Sequence, residues 1–135
     1  MTRKKRVLFV CIGNAFRSQM AEAFARTYGQ DVVEAESAGI APVLELPETT
    51  REVMREKGID LDSHFPKALV HTNLRSYDVV VNMSGLPLHA PPGVQMHVWN
   101  VPDPVGEGEK KVRQVRDDIE QLVVGLLIRL RGSRN

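Results

Sequence analysis

Between Arg6 and Ile12 the chain reads as one unbroken apolar and β-branched run, RVLFVCI. That is the length of a strand and the composition of one covered on both faces. Past a glycine-containing turn, SQMAEAFARTYG sets Met20, Ala21, Phe24 and Tyr28 at helical spacing, with Ser18 able to cap the start and Gly29 placed to end it. A second short strand fits VVEAESAG. PETTREVMREKG then reads as a helix with Pro47 in its first turn, Val53, Met54 and Lys57 following, and Gly58 as the stop. YDVVVNM and VQMHVWNV supply a third and a fourth strand. The last long segment, EKKVRQVRDDIEQLVVGLLIRLRG, aligns Val112, Val115, Ile119, Leu122, Leu126 and Leu130 on one helical stripe.

Strands alternating with helices call for right-handed crossovers onto a parallel sheet. The expected fold is therefore α/β: a three-layer α/β/α arrangement with a four-stranded parallel sheet and helices on both faces. In such sheets ligands sit beyond the carboxyl ends of the strands, and Cys11 is the last apolar position but one of the first strand. The irregular stretches GIAPVLELP, SGLPLHAPPG and VPDPVGEGE, each rich in Pro or Gly, are expected near the sheet ends.

Composition narrows the function classes. A chain of 135 residues with ordinary apolar and charged fractions is expected to be a single domain over 1–135. Its net charge of +1 gives no general attraction to nucleic acid or membrane, and the basic ends TRKKR and RLRGSRN are expected to be solvated. The run Val7 to Ile12 is too short for a signal segment and no stretch approaches a membrane span, so a cytoplasmic protein, a monomer or weak dimer, is expected. One cysteine excludes an internal disulfide and any multi-thiolate metal site. Among the four histidines there is no i, i+4 pair and no clustered carboxylate, so no metal site is expected.

That cysteine is either core filler or a nucleophile, and its neighbourhood decides. CIGNAFRS joins a strand to a helix start, where free backbone N–H groups and the helix dipole favour an anion. Gly13 allows close backbone approach, Asn14 tolerates a left-handed conformation, and Arg17 offers a planar fork to a tetrahedral oxyanion. The loop residues Ile12, Gly13, Asn14, Ala15, Phe16, Arg17 and Ser18 are thus expected to line an oxyanion cradle with Cys11 at its floor, where Arg17 and the Ser18 hydroxyl favour thiolate over thiol. A leaving oxygen needs a proton, and WNVPDP supplies Asp103 at the carboxyl end of the fourth strand, stiffened by Pro102 and Pro104.

CIGNAFRS with a late Asp-Pro resembles the low-molecular-weight protein tyrosine phosphatase superfamily, which also holds the thioredoxin-coupled arsenate reductases. ESAG, REKGIDLDSHFPK, YDVVVNM and WNVPDP resemble its segments in the family's order, and SQMAEAF and SHFPK are more similar to the arsenate-reductase branch. The resemblance implies a flavodoxin-like fold, Cys11 as nucleophile, Arg17 as clamp, Ser18 as donor to the thiolate and Asp103 as acid and then base. It also implies that Asn14, Ser37 and His64 hold the loop in its anion-binding shape. No metal or organic cofactor is implied.

Phosphate and arsenate are similar tetrahedral oxyanions, and a thiolate attacks either in the same cradle. Arsenate reduction needs two further electrons, which the coupled reductases take from resolving cysteines that this chain lacks; Met83 stands where that branch carries one. The leading expectation is therefore a cysteine-dependent phosphomonoesterase acting on a phosphomonoester or phosphoprotein through phosphocysteine. The alternatives are an arsenate reductase served by an external thiol and redoxin, and a non-catalytic oxyanion-binding module. The phosphatases of the family place aromatic residues after Asp-Pro, where this chain has Val105 and Gly106, so the rim is expected to be aliphatic, from Val43 and Leu44.

Overall fold

The computed structural model describes residues 3–133. Four strands, β1 (Lys5–Cys11), β2 (Val33–Gly39), β3 (Val79–Asn82) and β4 (Gln95–Val98), form one parallel sheet in the order β2-β1-β3-β4. Three α-helices, α1 (Arg17–Tyr28), α2 (Glu48–Arg55) and α3 (Glu109–Gly132), accompany them. The chain leaves β1 toward β2 on one side and returns to β3 on the other. The carboxyl end of β1 is therefore the point where the strand order reverses, and in an open α/β sheet that crevice is where a ligand is held.

The two sheet faces are covered unequally. Val7, Phe9, Val33, Ala35, Val79 and Val81 share one core with Met20 and Phe24 of α1, Val53 and Met54 of α2, and the inner stripe of α3. On the opposite face Leu8, Val10, Ala38 and Val80 meet Tyr77, Leu69, Leu74, Leu88, Val94 and Met96. This second cover is built from two short 3-10 helices, Leu69–His71 and Leu74–Ser76, and from the segment before β4. The connection from β2 to β3 uses both faces: α2 packs beside α3 on the first, and the two 3-10 helices that follow it cover the second.

The helices refine the expected boundaries. Phe16 occupies the N-cap of α1 without a side-chain cap, so Ser18 lies inside the helix and its hydroxyl serves another purpose. Gly29 does end α1, its N–H reaching the Ala25 carbonyl. Tyr28 is half-exposed, stacked on Phe24, and its hydroxyl donates to Glu120 at 2.7 Å. Pro47 is the N-cap of α2, one residue before its first turn. On α3, Leu122 is only half-buried while Val123 and Leu127 join the buried stripe, as 3.6 residues per turn require over so long a helix. Of the basic ends, Arg3 pairs with Asp78 and Arg131 with Asp31, both at 2.9 Å; Met1, Thr2, Arg134 and Asn135 lie outside the described residues. No described helix is long and apolar enough to cross a membrane.

Candidate oxyanion site at the end of strand β1

Cys11 closes β1, pairs in register with Gly39, and is 2% exposed. From there the chain turns through residues 12–16 into α1. The carbonyls of Cys11, Ile12 and Gly13 accept from the N–H groups of Ile40, Ala41 and Val43 at 3.1, 2.8 and 3.0 Å, which fastens the loop to the segment after β2. Thr50 of α2 adds a bond from its hydroxyl to the Ala15 carbonyl at 2.8 Å. Among the described residues, no acceptor takes the N–H groups of residues 13–18. Six donors ahead of a helix start are thus left for an oxyanion.

Asn14 holds this shape in the left-handed region, φ 50°. Its side chain is fully buried and fixes the direction of a chain of hydrogen bonds. The Lys67 backbone N–H is an unambiguous donor, and at 2.8 Å it identifies the atom it meets as Asn14 Oδ1, which also accepts from Gln19 Nε2 at 3.0 Å. Asn14 Nδ2 must then face the serines, donating to Ser18 Oγ at 2.7 Å and Ser37 Oγ at 3.0 Å. With its oxygen engaged in this way, the Ser18 hydroxyl has its proton free for Cys11 Sγ, 2.9 Å away. Ser37 in turn donates to the buried carboxylate of Glu22. The Ser18 hydroxyl is thereby aimed at the Cys11 sulfur.

The same reasoning sets the state of His64. Gln19 Nε2 donates to Asn14 and to the Phe65 carbonyl, so Gln19 Oε1 faces His64 Nδ1 at 3.1 Å and the ring carries its proton on Nδ1. Burial pushes the His64 pKa below its usual value, against the pull of Glu22. Glu22 itself is met by Arg26 at 2.9 Å and by Lys67 Nζ at 3.6 Å.

Arg17, 4% exposed, reaches across the sheet ends. Its Nη1 donates to the carbonyls of Met83 and, at 3.1 Å, Val101, in the segments that follow β3 and β4. Its Nη2 stands 3.3 Å from Asp103 Oδ2, while Asp103 Oδ1 accepts from the Val105 N–H at 3.1 Å. Cys11, Arg17 and Asp103 line one cavity of about 340 Å³ with Ile12, Gly13, Ala15, Phe16, Ala41, Val43, Glu45, Pro47 and Val105.

Of the residues singled out in the sequence, Cys11, Ile12, Gly13, Ala15, Phe16, Arg17, Val43 and Asp103 line the cavity, while Asn14 and Ser18, expected to line it too, are buried behind it with Ser37 and His64 close by. Leu44 departs from expectation. It is 99% exposed and outside the cavity, because Val43 is the residue that turns inward, 3.4 Å from where a Gly13 Cβ would stand. Gln19, Glu22 and Gly39 were not legible in advance. Gln19 and Glu22 are polar positions beside the apolar ones of α1, yet both are buried. A Cβ on Gly39 would stand 2.7 Å from the Ile12 carbonyl and 2.8 Å from the Asn14 nitrogen, so β2 can approach the loop only as glycine.

Comparison with known proteins places this arrangement. Residues 6–91 match the model of the low molecular weight phosphotyrosine protein phosphatase family. A protein of Halobacterium salinarum with a provisional arsenate reductase name is 42% identical over 125 residues, 87% of each chain. The glutaredoxin arsenate reductase of Synechocystis is 33% identical over 93% of this chain and 98% of its own. A solved arsenate reductase in the phosphate binding state superposes with a TM-score of 0.84 at 32% identity, covering 93% of this chain and 98% of that one. The YwlE arginine phosphatase of Geobacillus stearothermophilus follows at 0.79 and 26%, covering 95% and 94%.

Proposed function

The chain belongs to the low-molecular-weight phosphotyrosine protein phosphatase family, and within it we propose that the protein is an arsenate reductase that takes both electrons from external thiols. One combination carries the reading: a thiol at the floor of an oxyanion loop, in a chain similar to arsenate reductases along nearly its whole length. The thiols must be external because Cys11 is the sole cysteine.

Arsenate binds against the free loop N–H groups and Arg17. The Cys11 thiolate attacks arsenic, a sulfur–arsenic bond forms, and one As–O bond breaks; Asp103 gives its proton to the departing oxygen, which leaves as water. A first small thiol, as thiolate, then attacks Cys11 Sγ. A disulfide forms, the sulfur–arsenic bond breaks, and its electron pair stays on arsenic, which leaves as arsenite. A second thiol, free or on a glutaredoxin-type protein, attacks the mixed disulfide and returns Cys11 as thiolate. In sum, two thiols and arsenate give one disulfide, arsenite and water.

A second reading is phosphomonoester hydrolysis, with water in place of the thiol and Asp103 as its base. The cysteine count favours it, since hydrolysis needs no second sulfur, and the arginine phosphatase likeness is compatible with it. Phosphotyrosine is the less suited substrate, because the cavity wall is largely Val43, Val105, Ala41 and Pro47, with Phe16 as the one aromatic side chain of the lining.

Single-turnover mass spectrometry separates the two. With arsenate and a small thiol, and no redoxin, the reductase is expected to gain a thiol adduct on Cys11 that appears only when arsenate is present. Phosphate release from p-nitrophenyl phosphate, with no arsenate-dependent adduct under any thiol, would establish the second reading instead.

A further inference from the structure

Glu45 stands on the segment between β2 and α2 and lines the cavity above Cys11. The two other charged groups of the lining, Arg17 and Asp103, face each other at 3.3 Å. Glu45 has no ion pair or hydrogen bond among the described residues; it is exposed at the rim of a cavity whose other lining includes the apolar Val43, Pro47, Val105 and Phe16. A lone carboxylate on an apolar wall adds nothing to oxyanion binding, which it opposes. It is suited to a molecule that arrives after the oxyanion.

That molecule is the first resolving thiol. Cys11 lies at the floor of about 340 Å³, 2% exposed, so a thiol of a dozen or so heavy atoms enters whole, whereas a cysteine on a protein surface enters only by its tip. Once arsenate is on Cys11, an anionic thiol meets the charge of the adduct together with Glu45. A thiol bearing an ammonium a few bonds from its sulfur meets Glu45 as a partner while the sulfur reaches Cys11. We infer that Glu45 is a specificity-determining residue that selects a small, ammonium-bearing thiol as the resolving substrate over neutral and anionic thiols. This rests on the arsenate-reductase reading.

The test uses thiol–disulfide exchange at Cys11, which needs no arsenate. The Cys11 thiolate attacks a symmetrical disulfide, a new disulfide forms on Cys11, and one thiolate leaves. Rates with cystamine (cationic), bis(2-hydroxyethyl) disulfide (neutral) and dithiodiglycolate (anionic) are read by intact mass for wild type, Glu45→Gln and Glu45→Lys. Glu45→Gln is expected to lower the cationic-to-neutral rate ratio roughly two- to five-fold, the range of an exposed charge pair, and to raise the anionic-to-neutral ratio. Glu45→Lys is expected to go further in the same direction. Ratios unchanged in both variants would overturn the inference. Arsenate turnover with 2-aminoethanethiol and with 2-mercaptoethanol is run alongside: charge-selective exchange with no arsenate turnover would overturn the reductase reading and with it the resolving-thiol role, whereas arsenate turnover with unchanged exchange ratios would overturn the role of Glu45 alone.

Discussion

The floor and the rim of the cavity are built on different terms. At the floor, Asn14, Ser18, Gln19, Glu22 and Ser37 are all buried and each side chain is held by at least two partners, so the conformation of the loop is fixed several times over. At the rim, Glu45, Asp103 and Val105 are exposed, on segments without regular structure. On the proposed reading, the floor is where a tetrahedral oxyanion meets the Cys11 sulfur. The rim determines what else takes part: the leaving oxygen, the second thiol, the body of any ester. Divergence of reaction on one scaffold is expected at the rim, where change costs little stability.

The largest break is expected from Cys11→Ser. It should reduce turnover on the order of 10⁴-fold or more for arsenate and aryl phosphate alike, while oxyanion binding followed by calorimetry persists, since the free N–H groups and Arg17 remain. Asp103→Asn comes next, with a loss of roughly 10²- to 10⁴-fold in the step that expels an oxygen. In the aryl phosphate assay the loss should grow as the leaving group becomes poorer; equal losses for good and poor leaving groups would remove the general acid.

Changes behind the floor should appear in stability as well as rate. Asn14→Ala strands the Lys67 N–H, and Gly39→Ala drives a methyl into the Ile12 carbonyl and Asn14 nitrogen. Each is expected to cost about 1–3 kcal/mol by denaturant titration and to depress arsenate and phosphate chemistry in the same proportion. Val105→Ala at the rim should leave stability nearly unchanged. A Gly39→Ala protein of full stability would contradict the close packing of β2 on the loop.

The smallest effect is pH-dependent. His64 is held neutral by burial, so its pKa in the folded chain lies below that in the unfolded chain. The unfolded chain then binds the extra proton, and the contribution to stability is complete above the usual histidine pKa of about 6.5 and declines as the pH falls below it. His97 is shifted the same way, by burial and then by Arg129. The denaturant midpoint should fall between pH 7 and pH 5.5, and His64→Gln should flatten that slope while His97 maintains a remainder.

The parts of this molecule that local pattern specifies were legible in the sequence. RVLFVCI and YDVVVNM are apolar runs that can only be buried strands, and the cradle was readable because Cys11, Gly13, Asn14, Arg17 and Ser18 are contiguous. Asp103 is legible because the leaving oxygen needs an acid and WNVPDP brings a carboxylate to the carboxyl end of the fourth strand. What stayed hidden depends on tertiary contact. LVH and LRS are too short to show a period, so the second sheet cover could not be read as 3-10 helix. Ser18 has the identity of a helix cap and the position of a thiolate donor, and only the placement of Asn14 decides between them. The burial of Glu22 and Gln19 depends on Ser37, Lys67 and His64, which close over them.

Reductase and phosphatase are separated by steady-state arsenate-dependent NADPH oxidation, with glutathione–glutaredoxin, mycothiol-type and thioredoxin systems in turn, beside thiol-free hydrolysis of p-nitrophenyl phosphate by the same preparation. A reductase served by external thiols is expected to turn arsenate over under a small-thiol system, at a rate that exceeds hydrolysis and is lost in Cys11→Ser. Robust thiol-independent hydrolysis with no arsenate turnover under any of the three systems would contradict it.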